Sequence, residues 1–261
     1  MVSNGTSASI LQHAVIPLGK SDSFEGAALV IGAGGGLGAA LVAQLTAAAA
    51  GESEFRQRVM ALSRSSQPAI DYQDESSLKA AAAWVAEECV SSQLDLRLLI
   101  VASGFLHGDQ GQPERSWAEL DAAYLAHVFR INAIGPALVM KHFLPLFPRQ
   151  GRCVAAFVSA KVGSIGDNAL GGWYGYRASK AALNQLVKTA SIELTRKNRQ
   201  SICVALHPGT VDTGLSRPFS KTGLTVRPAS VAAAELLNVL AGLTSSATGS
   251  FRDYRGSCLP W

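Results

Sequence analysis

A tyrosine and a lysine four residues apart are the pair in this sequence best suited to acid–base chemistry. Tyr176 and Lys180 lie in the string YRASK, and residues four apart in a helix share one face. A phenol with an ordinary pKa near 10 is a weak acid–base catalyst at neutral pH. An ammonium about 4 Å away, at an effective dielectric constant near 20, would stabilise the phenolate by about 4 kcal/mol, or roughly three pKa units. The pair is either a tuned proton donor or an ordinary surface pair, since this spacing also arises by chance.

Closely spaced glycines form the second chemical feature. The string GAGGGLG at 32–38 follows a short apolar run and precedes an Ala- and Leu-rich segment. Glycine lets a ligand approach the backbone, and a helix N-terminus presents free N–H groups to a pyrophosphate. The string holds more glycines than a turn alone requires, which favours a dinucleotide. No Gly-Lys-Ser/Thr follows, so the pattern is not that of a nucleoside-triphosphate loop.

Ser63 and Arg64 follow the second apolar run, where nucleotide-binding folds that use NAD often carry an acid. A carboxylate would repel a 2′-phosphate, whereas a guanidinium can hold it through charged, bidentate contacts. The sequence therefore favours NADP(H) over NAD(H), with a solvated surface arginine as the alternative. Asp71, next to Tyr72, could accept a hydrogen bond from an adenine amino group, although aspartate is also common in turns for local reasons.

Apolar runs that alternate with helical segments must position these residues. Strands are expected at 27–31, 59–62, 96–102, 153–158 and 202–206, with brief ones at 69–70 and 250–251. Helices are expected at 37–50, 76–90, 117–147 with a bend at Pro136, 174–196 and 231–243. This alternation predicts an α/β fold, a Rossmann-like doubly wound parallel sheet with helices on both faces. Residues 1–25 are expected to form an N-terminal extension and residues 26–261 a single dinucleotide-binding domain.

The composition excludes several classes of protein. The chain has 261 residues, of which 48% are hydrophobic and 16% charged, so it is not a disordered chain. Its four cysteines form no C-x-x-C pair, which favours free thiols in a reducing compartment over disulfides or a metal site. The net charge of +4 comes from scattered basic residues, so no nucleic-acid partner is expected. With no run of about 18 apolar residues, we expect no membrane span and a cytoplasmic location.

Together with the glycine string, the tyrosine–lysine pair makes the sequence resemble the short-chain dehydrogenase/reductase family. The resemblance covers about residues 26–261 and includes Asn132 in the string RINA and the string PGTVDT at 208–213. The strings VGSIGDN at 162–168 and YRASK at 176–180 are similar to the Sniffer and C-signal subgroup of that family, as are FRDY at 251–254 and LPW at 259–261.

The resemblance implies an NADPH-dependent oxidoreductase acting on a small-molecule carbonyl or alcohol. Tyr176 would donate a proton to the substrate oxygen, and Lys180 would lower the pKa of Tyr176 and bind the nicotinamide ribose. Asn132 would hold a water in a proton relay that reaches Lys180. Homodimers or homotetramers would form through the long helices at 117–147 and 174–196. The implied NADP(H) site comprises Gly32, Gly35, Gly36, Leu37, Gly38, Ser63, Arg64, Asp71, Tyr72, Ala102, Ser103, Gly104, Tyr176, Lys180, Pro208, Gly209, Val211 and Thr213.

One position departs from the family where it affects catalysis. The family pattern S-S-x-x-G corresponds here to SAKVG at 159–163, which puts Ala160 where a serine usually binds the carbonyl. The loss of one such donor can cost roughly 10²–10³ in rate. Ser164 in the following loop, Ser159 on the strand, or no hydroxyl at all could take its place. The family's Asn-Asn-Ala-Gly is also replaced, by VASG at 101–104.

The loops expected around the substrate are apolar and aromatic. They contribute Phe105, Leu106, Trp173, Leu215 and Phe219. Such a lining favours the carbonyl of an apolar ketone, aldehyde or quinone over a charged metabolite. The alternative is an NADP(H)-binding sensor or signalling protein with weak turnover, which the replaced serine and asparagines would suit.

Overall fold

The computed structural model describes residues 26–51, 57–219 and 225–261, so the expected extension at 1–25 lies outside the described residues. The division into an extension and a single domain stays a prediction. The strands are β1 (Gly26–Ile31), β2 (Gln57–Leu62), β3 (Leu96–Val101), β4 (Cys153–Val158), β5 (Ser201–His207), β6 (Thr210–Val211), β7 (Val226–Arg227) and β8 (Phe251–Asp253). The helices are α1 (Gly36–Gly51), α2 (Glu75–Ser92), α3 (Ala122–Phe129), α4 (Gly135–Phe143), α5 (Tyr174–Lys197) and α6 (Ala229–Ala241).

Six parallel strands form the central sheet, in the order β2-β1-β3-β4-β5-β8. The central strands are apolar at nearly every position, because a parallel sheet is covered on both faces. On one face the core includes Leu78, Phe143 and Leu183 from α2, α4 and α5. On the other it includes Leu41 from α1 and Leu236 from α6. The doubly wound, three-layer fold predicted from the sequence is confirmed.

The order in which successive strands join the sheet reverses at β1, because β2 is added on one side of it and β3 on the other. In such folds the crevice beyond the carboxyl ends of the strands at this point is where ligands bind. The glycine string and the loop after β3 both start there. A separate pair of short parallel strands, β6 and β7, was not expected from the sequence.

The expected strand at 69–70 is wrong. Ile70 is buried, and its N–H donates to the carbonyl of Ser63 at 2.9 Å. Pro68, two residues earlier, has no N–H to offer a ladder, and the segment has no strand partner. The residue contributes to the core from an irregular segment.

The single helix expected at 117–147, bent at Pro136, is also wrong. It is divided into a 3₁₀ turn (Trp117–Glu119), α3, a π-helical stretch (Arg130–Ile134), α4 and a second 3₁₀ turn (Leu144–Leu146). The N–H of Gly135 donates to the carbonyl of Arg130, five residues back. The helical ladder therefore opens before Pro136, which lies in the first turn of α4, where its missing N–H costs little.

The stretch Ala122–Leu146 is long and apolar enough to cross a membrane by length and composition alone. In the structure it is the broken helix just described. Its residues Val128, Val139 and Phe143 are completely buried. The core helix of a globular fold meets the same criterion, so this stretch is weak evidence for a membrane segment.

Helix α5 lies against the turn that follows β4, and Gly163 permits the close approach. A Cβ at Gly163 would lie 2.7 Å from Cβ of Lys180 and 2.9 Å from its carbonyl carbon. Both distances are shorter than atoms tolerate, and backbone has to move to relieve the second. The spacing between β4 and α5 therefore depends on the absence of a side chain at 163.

We expect Gly163→Ala to lower the free energy of unfolding by about 2 kcal/mol, as overpacking typically does. Gly214→Ala is the matched control, since a Cβ there meets no atom within 4 Å among the described residues. Urea unfolding followed by circular dichroism measures both. Equal stability of the two variants would show that α5 can retreat from the turn without cost.

Candidate active site

The glycine string forms the turn between β1 and α1. Gly32 has φ +89°, and a Cβ on it would lie 2.6 Å from the backbone nitrogen of Ser103, so only glycine fits between the ends of β1 and β3. Gly36 packs on the other side against the Thr213 side chain, with Cγ2 2.9 Å from the position of a Cβ. The turn thus joins three parts of the expected cofactor site.

The outer face of this turn is open. Gly34, Gly35 and Gly36 are exposed, whereas Leu37 is buried and anchors the first turn of α1. Among the described residues, the nearest atom to a Cβ on Gly35 is 3.4 Å away. An exposed backbone at a helix N-terminus, without side chains in front of it, fits the pyrophosphate of a dinucleotide.

The end of β2 borders the same turn with hydroxyl groups and one cation. Ser63 lies against Gly34, with its Cβ 3.5 Å from the position of a Cβ there. The hydroxyls of Ser63 and Ser65 are 3.2 Å apart, and Arg64 between them is exposed. This cluster suits a phosphate group on the ribose next to the glycine turn.

Asp71 and Tyr72, both expected at the cofactor, differ in accessibility. Asp71 is exposed, and its carboxylate accepts from the N–H of Gln73 at 2.9 Å. The Tyr72 side chain is buried, its ring lies against Gly135, and its hydroxyl pairs with that of Ser103 at 2.7 Å. Burial raises the pKa of Tyr72 to about 12. The Tyr72 side chain therefore braces the loop after β3 from within the core, and its contact with the cofactor stays a prediction.

Tyr176 and Lys180 lie on the inner face of α5, 7% and 3% exposed. The Lys180 ammonium donates to the carbonyl of Val158 at the end of β4, at 2.9 Å, and lies 5.9 Å from the centroid of the Tyr176 ring. A Cβ at Gly104 would lie 3.7 Å from Lys180 Nζ and 3.7 Å from Asn132 Oδ1. The lysine and asparagine singled out from the sequence therefore meet beside Gly104, and the tyrosine ring lies next to the lysine.

The electrostatics of this pair differ from the simple Coulomb expectation. Burial raises the pKa of Tyr176 far above its ordinary value of 10.0 and lowers the pKa of Lys180 from 10.5 to about 8. The ammonium is bound to a backbone carbonyl, and for both groups the loss of water on burial is the cause of the shift. In this arrangement Tyr176 is a neutral phenol, with its proton available for donation.

Asn132 lies in the π-helical stretch and is completely buried. Its Oδ1 accepts from the N–H of Phe105, and its Nδ2 donates to the Phe105 carbonyl, both at 2.8 Å. Nδ2 also donates to the Ser179 hydroxyl of α5 at 3.1 Å. The side chain therefore ties the loop after β3 to the helix that carries Tyr176.

The two candidate replacements for the missing serine are both occupied elsewhere. The Ser159 hydroxyl donates to Asn184 of α5 at 2.7 Å. The Ser164 hydroxyl donates to the backbone carbonyl of Trp261 at 3.3 Å and accepts from the N–H of Asp167 at 3.1 Å. Both serines are buried, and no hydrogen bond joins either of them to Tyr176 within the described ranges. Whether Ser164, Ser159 or no hydroxyl replaces the serine at Ala160 stays a prediction.

The string PGTVDT follows β5 and forms the far wall of the crevice. Gly209 has φ +74°, and the Arg227 guanidinium packs against it, 2.9 Å from the position of a Cβ. Arg227 also stacks on the Tyr254 ring, 3.1 Å from its centroid, and pairs with Glu235 at 2.7 Å. Sequence reasoning missed Arg227, because its partners come from three separate segments. Pro208 is half-buried, and Val211 is buried.

Aromatic rings gather next to the Tyr176 phenol. The Trp173 ring meets Tyr176 edge-on with centroids 6.2 Å apart and meets Phe219 at 5.2 Å. Phe219 in turn contacts His107 at 5.3 Å, and His107 bonds the Gly214 carbonyl at 3.0 Å. Of the other expected pocket residues, Leu215 lies 3.9 Å from the position of a Cβ on Gly104, Leu106 is buried, and Phe105 packs on Tyr124 and His127.

Comparison with known proteins decides the family. A family model described as short chain dehydrogenase matches residues 26–223. The chain belongs to the short-chain dehydrogenase family. It is therefore an oxidoreductase that uses a nucleotide cofactor and a small-molecule substrate, as the sequence predicted.

Several members of the short-chain dehydrogenase family are similar to this chain. C-signal of Myxococcus xanthus is 36% identical over 143 residues, which are 55% of this chain and 82% of that protein. The 1-hydroxy-2-glutathionyl-2-methyl-3-butene dehydrogenase of Rhodococcus sp. is 30% identical over 195 residues, 75% of this chain and 80% of the enzyme. The NADPH-bound carbonyl reductase from chicken fatty liver superposes with a TM-score of 0.76 at 26% identity, covering 91% of this chain and 99% of that one. The predicted resemblance to C-signal is confirmed, and Sniffer of D. melanogaster shares the fold, with a TM-score of 0.73 at 22% identity over 91% of this chain and 100% of that one.

Within the described part of the chain, no group of three or more His, Cys, Asp or Glu side chains could hold a metal ion. His207, at the end of β5, is largely buried, and burial lowers its pKa to about 4. The thiol of Cys203 is buried, which raises its pKa to about 12 and makes it unreactive.

The lowered pKa of Lys180 predicts how stability depends on pH. Between about pH 8 and the ordinary pKa of 10.5, the unfolded chain binds more protons at this residue than the folded chain. Stability from Lys180 is therefore lowest below pH 8 and rises toward pH 10.5. The Lys180→Met variant lacks this gain in stability. We therefore expect its free energy of unfolding, relative to that of the unaltered protein, to fall by up to about 3 kcal/mol between pH 8 and pH 10.5.

Urea unfolding of the cofactor-free protein at half-unit steps from pH 7 to 10.5 measures this difference. Lys197→Met, at the exposed end of α5, is the control for the loss of a lysine. A difference that stays constant with pH would show that Lys180 is not held in a desolvated site.

Proposed function

We propose that this member of the family is an NADPH-dependent reductase of apolar ketones, aldehydes or quinones. The observation that carries the proposal is the pairing of the buried Tyr176 and Lys180 side chains, with the ammonium beside Gly104 in the loop after β3 that the glycine turn contacts at Ser103. A proton donor, a cation and a nucleotide-binding turn are the parts that carbonyl reduction needs. The carbonyl reductase similar to this chain is itself NADPH-bound.

The open glycine turn and its neighbours fit NADP(H). In our proposal the backbone at Gly34 to Leu37 holds the pyrophosphate, and Ser63 with Arg64 holds the 2′-phosphate. Asp71 binds the adenine amino group, Ala102 to Gly104 line the ribose, and the string at 208–213 lines the nicotinamide. When bound, the cofactor would supply a hydride for the carbonyl carbon.

The chain's own groups supply the proton. Tyr176, held neutral by burial, donates its phenolic proton to the carbonyl oxygen as negative charge develops there. The Lys180 ammonium stabilises the phenolate that this donation leaves, in a site with little water. Asn132 holds the loop after β3 against α5 and keeps both groups in place. Its role in a proton relay stays a prediction.

Substrate selection follows from the wall beside Tyr176. Trp173, Phe219 and Leu215 offer apolar surface beside Tyr176 and Gly104. Flat apolar carbonyl compounds suit this wall, whereas charged metabolites would lose hydration without gaining a partner.

The expected homo-oligomer and the cytoplasmic location stay predictions.

A second candidate is an NADP(H)-binding sensor with weak turnover. It is favoured by Ala160 and by the engagement of the Ser159 and Ser164 hydroxyls with Asn184 and the Trp261 carbonyl. Without a second donor to the carbonyl oxygen, the rate would fall by roughly 10²–10³. The turnover number of the unaltered protein on a panel of aromatic ketones, aldehydes and quinones separates the two candidates.

Replacement of Arg64 tests the cofactor. Arg64→Leu should weaken NADPH binding about 10- to 100-fold and change NADH binding less than about 3-fold, because the guanidinium contacts only the extra phosphate. Isothermal titration with each cofactor measures the two affinities. Arg58→Leu, which removes an arginine of β2 that pairs with Glu88, is the control. Equal weakening of NADPH and NADH by Arg64→Leu would contradict a 2′-phosphate site.

Replacement of Tyr176 tests the reaction. Tyr176→Phe should lower kcat by about 10³-fold, because it removes the proton donor, and should leave NADPH affinity within about 3-fold. Tyr174→Phe, which removes the hydroxyl of an exposed tyrosine in the same helical turn, should keep kcat within about 2-fold. Steady-state kinetics with the best carbonyl of the panel give both values. Unchanged turnover in Tyr176→Phe would eliminate the proposed mechanism.

A further inference from the structure

The turn that leads into α5 has an uncommon backbone. Gly171, Gly172 and Trp173 are all in the left-handed region, with φ of +65°, +63° and +54°. Two of the three are glycines, for which this conformation is free of strain, but a bulky residue such as tryptophan rarely adopts it. Such a conformation persists only where surrounding contacts hold it, and it often marks a functional site.

Arg177 and Glu114 both hold this turn through hydrogen bonds to its backbone. The Arg177 guanidinium donates to the carbonyls of Gly172 at 2.9 Å and Gly171 at 3.1 Å. The backbone carbonyl of Glu114 accepts from the N–H of Trp173 at 2.5 Å. The strained residue is therefore fixed directly by Glu114.

The side chain of Glu114 continues this contact into the helix. Its two carboxylate oxygens accept from the N–H of Gly175, in the first turn of α5, at 3.2 and 3.1 Å. The residue is only 2% exposed, and it forms no ion pair with any residue that the structure describes. A buried carboxylate without a cation is costly unless fixed N–H groups replace water, which a helix N-terminus supplies.

These contacts set the geometry of the proposed active site. Tyr176 follows Gly175 directly, and the Trp173 ring, which forms the apolar wall, meets the Tyr176 ring edge-on. A shift of Gly175 would move the phenol, and a relaxed Trp173 backbone would move the indole away from Phe219. Glu114 thus acts on both sides of the space where a carbonyl would sit.

We propose that Glu114 is a positioning residue of the active site, which fixes Trp173 and the first turn of α5 so that the indole wall and the Tyr176 phenol face one bound carbonyl. This rests on the proposed reductase function. Glu114 touches neither substrate nor cofactor and acts through hydrogen bonds to the two backbone N–H groups.

Every substitution keeps the Glu114 backbone carbonyl that accepts from Trp173, so the test addresses the side-chain contact with Gly175. It compares Glu114→Ala, which removes this contact, with Glu114→Gln, which keeps an oxygen that can accept from Gly175. Glu114→Ala should lower kcat about 30-fold or more, raise KM for the carbonyl and leave KM for NADPH within about 3-fold. Glu114→Gln should keep kcat within about 5-fold of the unaltered protein. Glu119→Gln, an exposed neighbour that accepts from the N–H of Arg115, is the matched control and should change neither constant.

Hydrogen–deuterium exchange of the NADPH-bound protein gives a readout that does not depend on turnover. Glu114→Ala should speed exchange in peptides covering 171–178 at least about 10-fold and leave those covering β1 and β4 unchanged. Unchanged exchange there would overturn the proposal, and so would a Glu114→Gln variant as impaired as Glu114→Ala. If the unaltered protein reduces no carbonyl, the proposed function fails, and exchange alone decides the role of Glu114.

The role of Glu114 can still be tested if Glu114→Ala does not fold. Circular dichroism identifies such a failure of Glu114→Ala. Glu114→Asp then replaces it, because a carboxylate one methylene shorter falls out of reach of Gly175. Reduced kcat in Glu114→Asp with an unchanged KM for NADPH supports the positioning role, and full activity overturns it.

Discussion

The burial of the Lys180 ammonium is the constraint on which the rest of the site depends. A cation this far from water needs a fixed acceptor, and the carbonyl of Val158 at the end of β4 provides it. For Nζ to reach that carbonyl, α5 has to lie directly on the turn after β4, where Gly163 leaves room. The same placement brings Tyr176, one helical turn earlier, to the crevice between β1 and β3.

Buried polar contacts then remove the remaining freedom of α5. Asn132 bonds Ser179, Ser159 bonds Asn184, and Glu114 bonds Gly175, so that three separate segments hold one helix. Each contact is satisfied, and a network of satisfied buried hydrogen bonds admits few alternative arrangements. The π-helical stretch belongs to this network, because it turns the Asn132 side chain toward both the loop after β3 and α5.

The substrate side combines much apolar surface with few free hydroxyls. Ser159 and Ser164 could have compensated for Ala160, but their hydroxyls donate to Asn184 and to the Trp261 carbonyl. The proposed reaction therefore relies on the neutral phenol of Tyr176 for its proton, and on contact with Trp173 and Phe219 to seat the substrate. This arrangement suits an apolar carbonyl compound, because burial of its apolar surface contributes more to binding than polar contacts do.

The sequence by itself determined the features that depend on neighbours along the chain. The alternation of strands and helices, the glycine turn and the shared face of Tyr176 and Lys180 follow from local spacing, and the structure contains all three. Tertiary structure decided the rest, because it depends on segments far apart in sequence. Ile70 joins the core without a strand, the helix before Asn132 opens into a π-helical stretch, and burial reverses the expected shift in the Tyr176 pKa. Glu114 gives no signal in the sequence, since its partner Gly175 is 61 residues away and only packing brings them together.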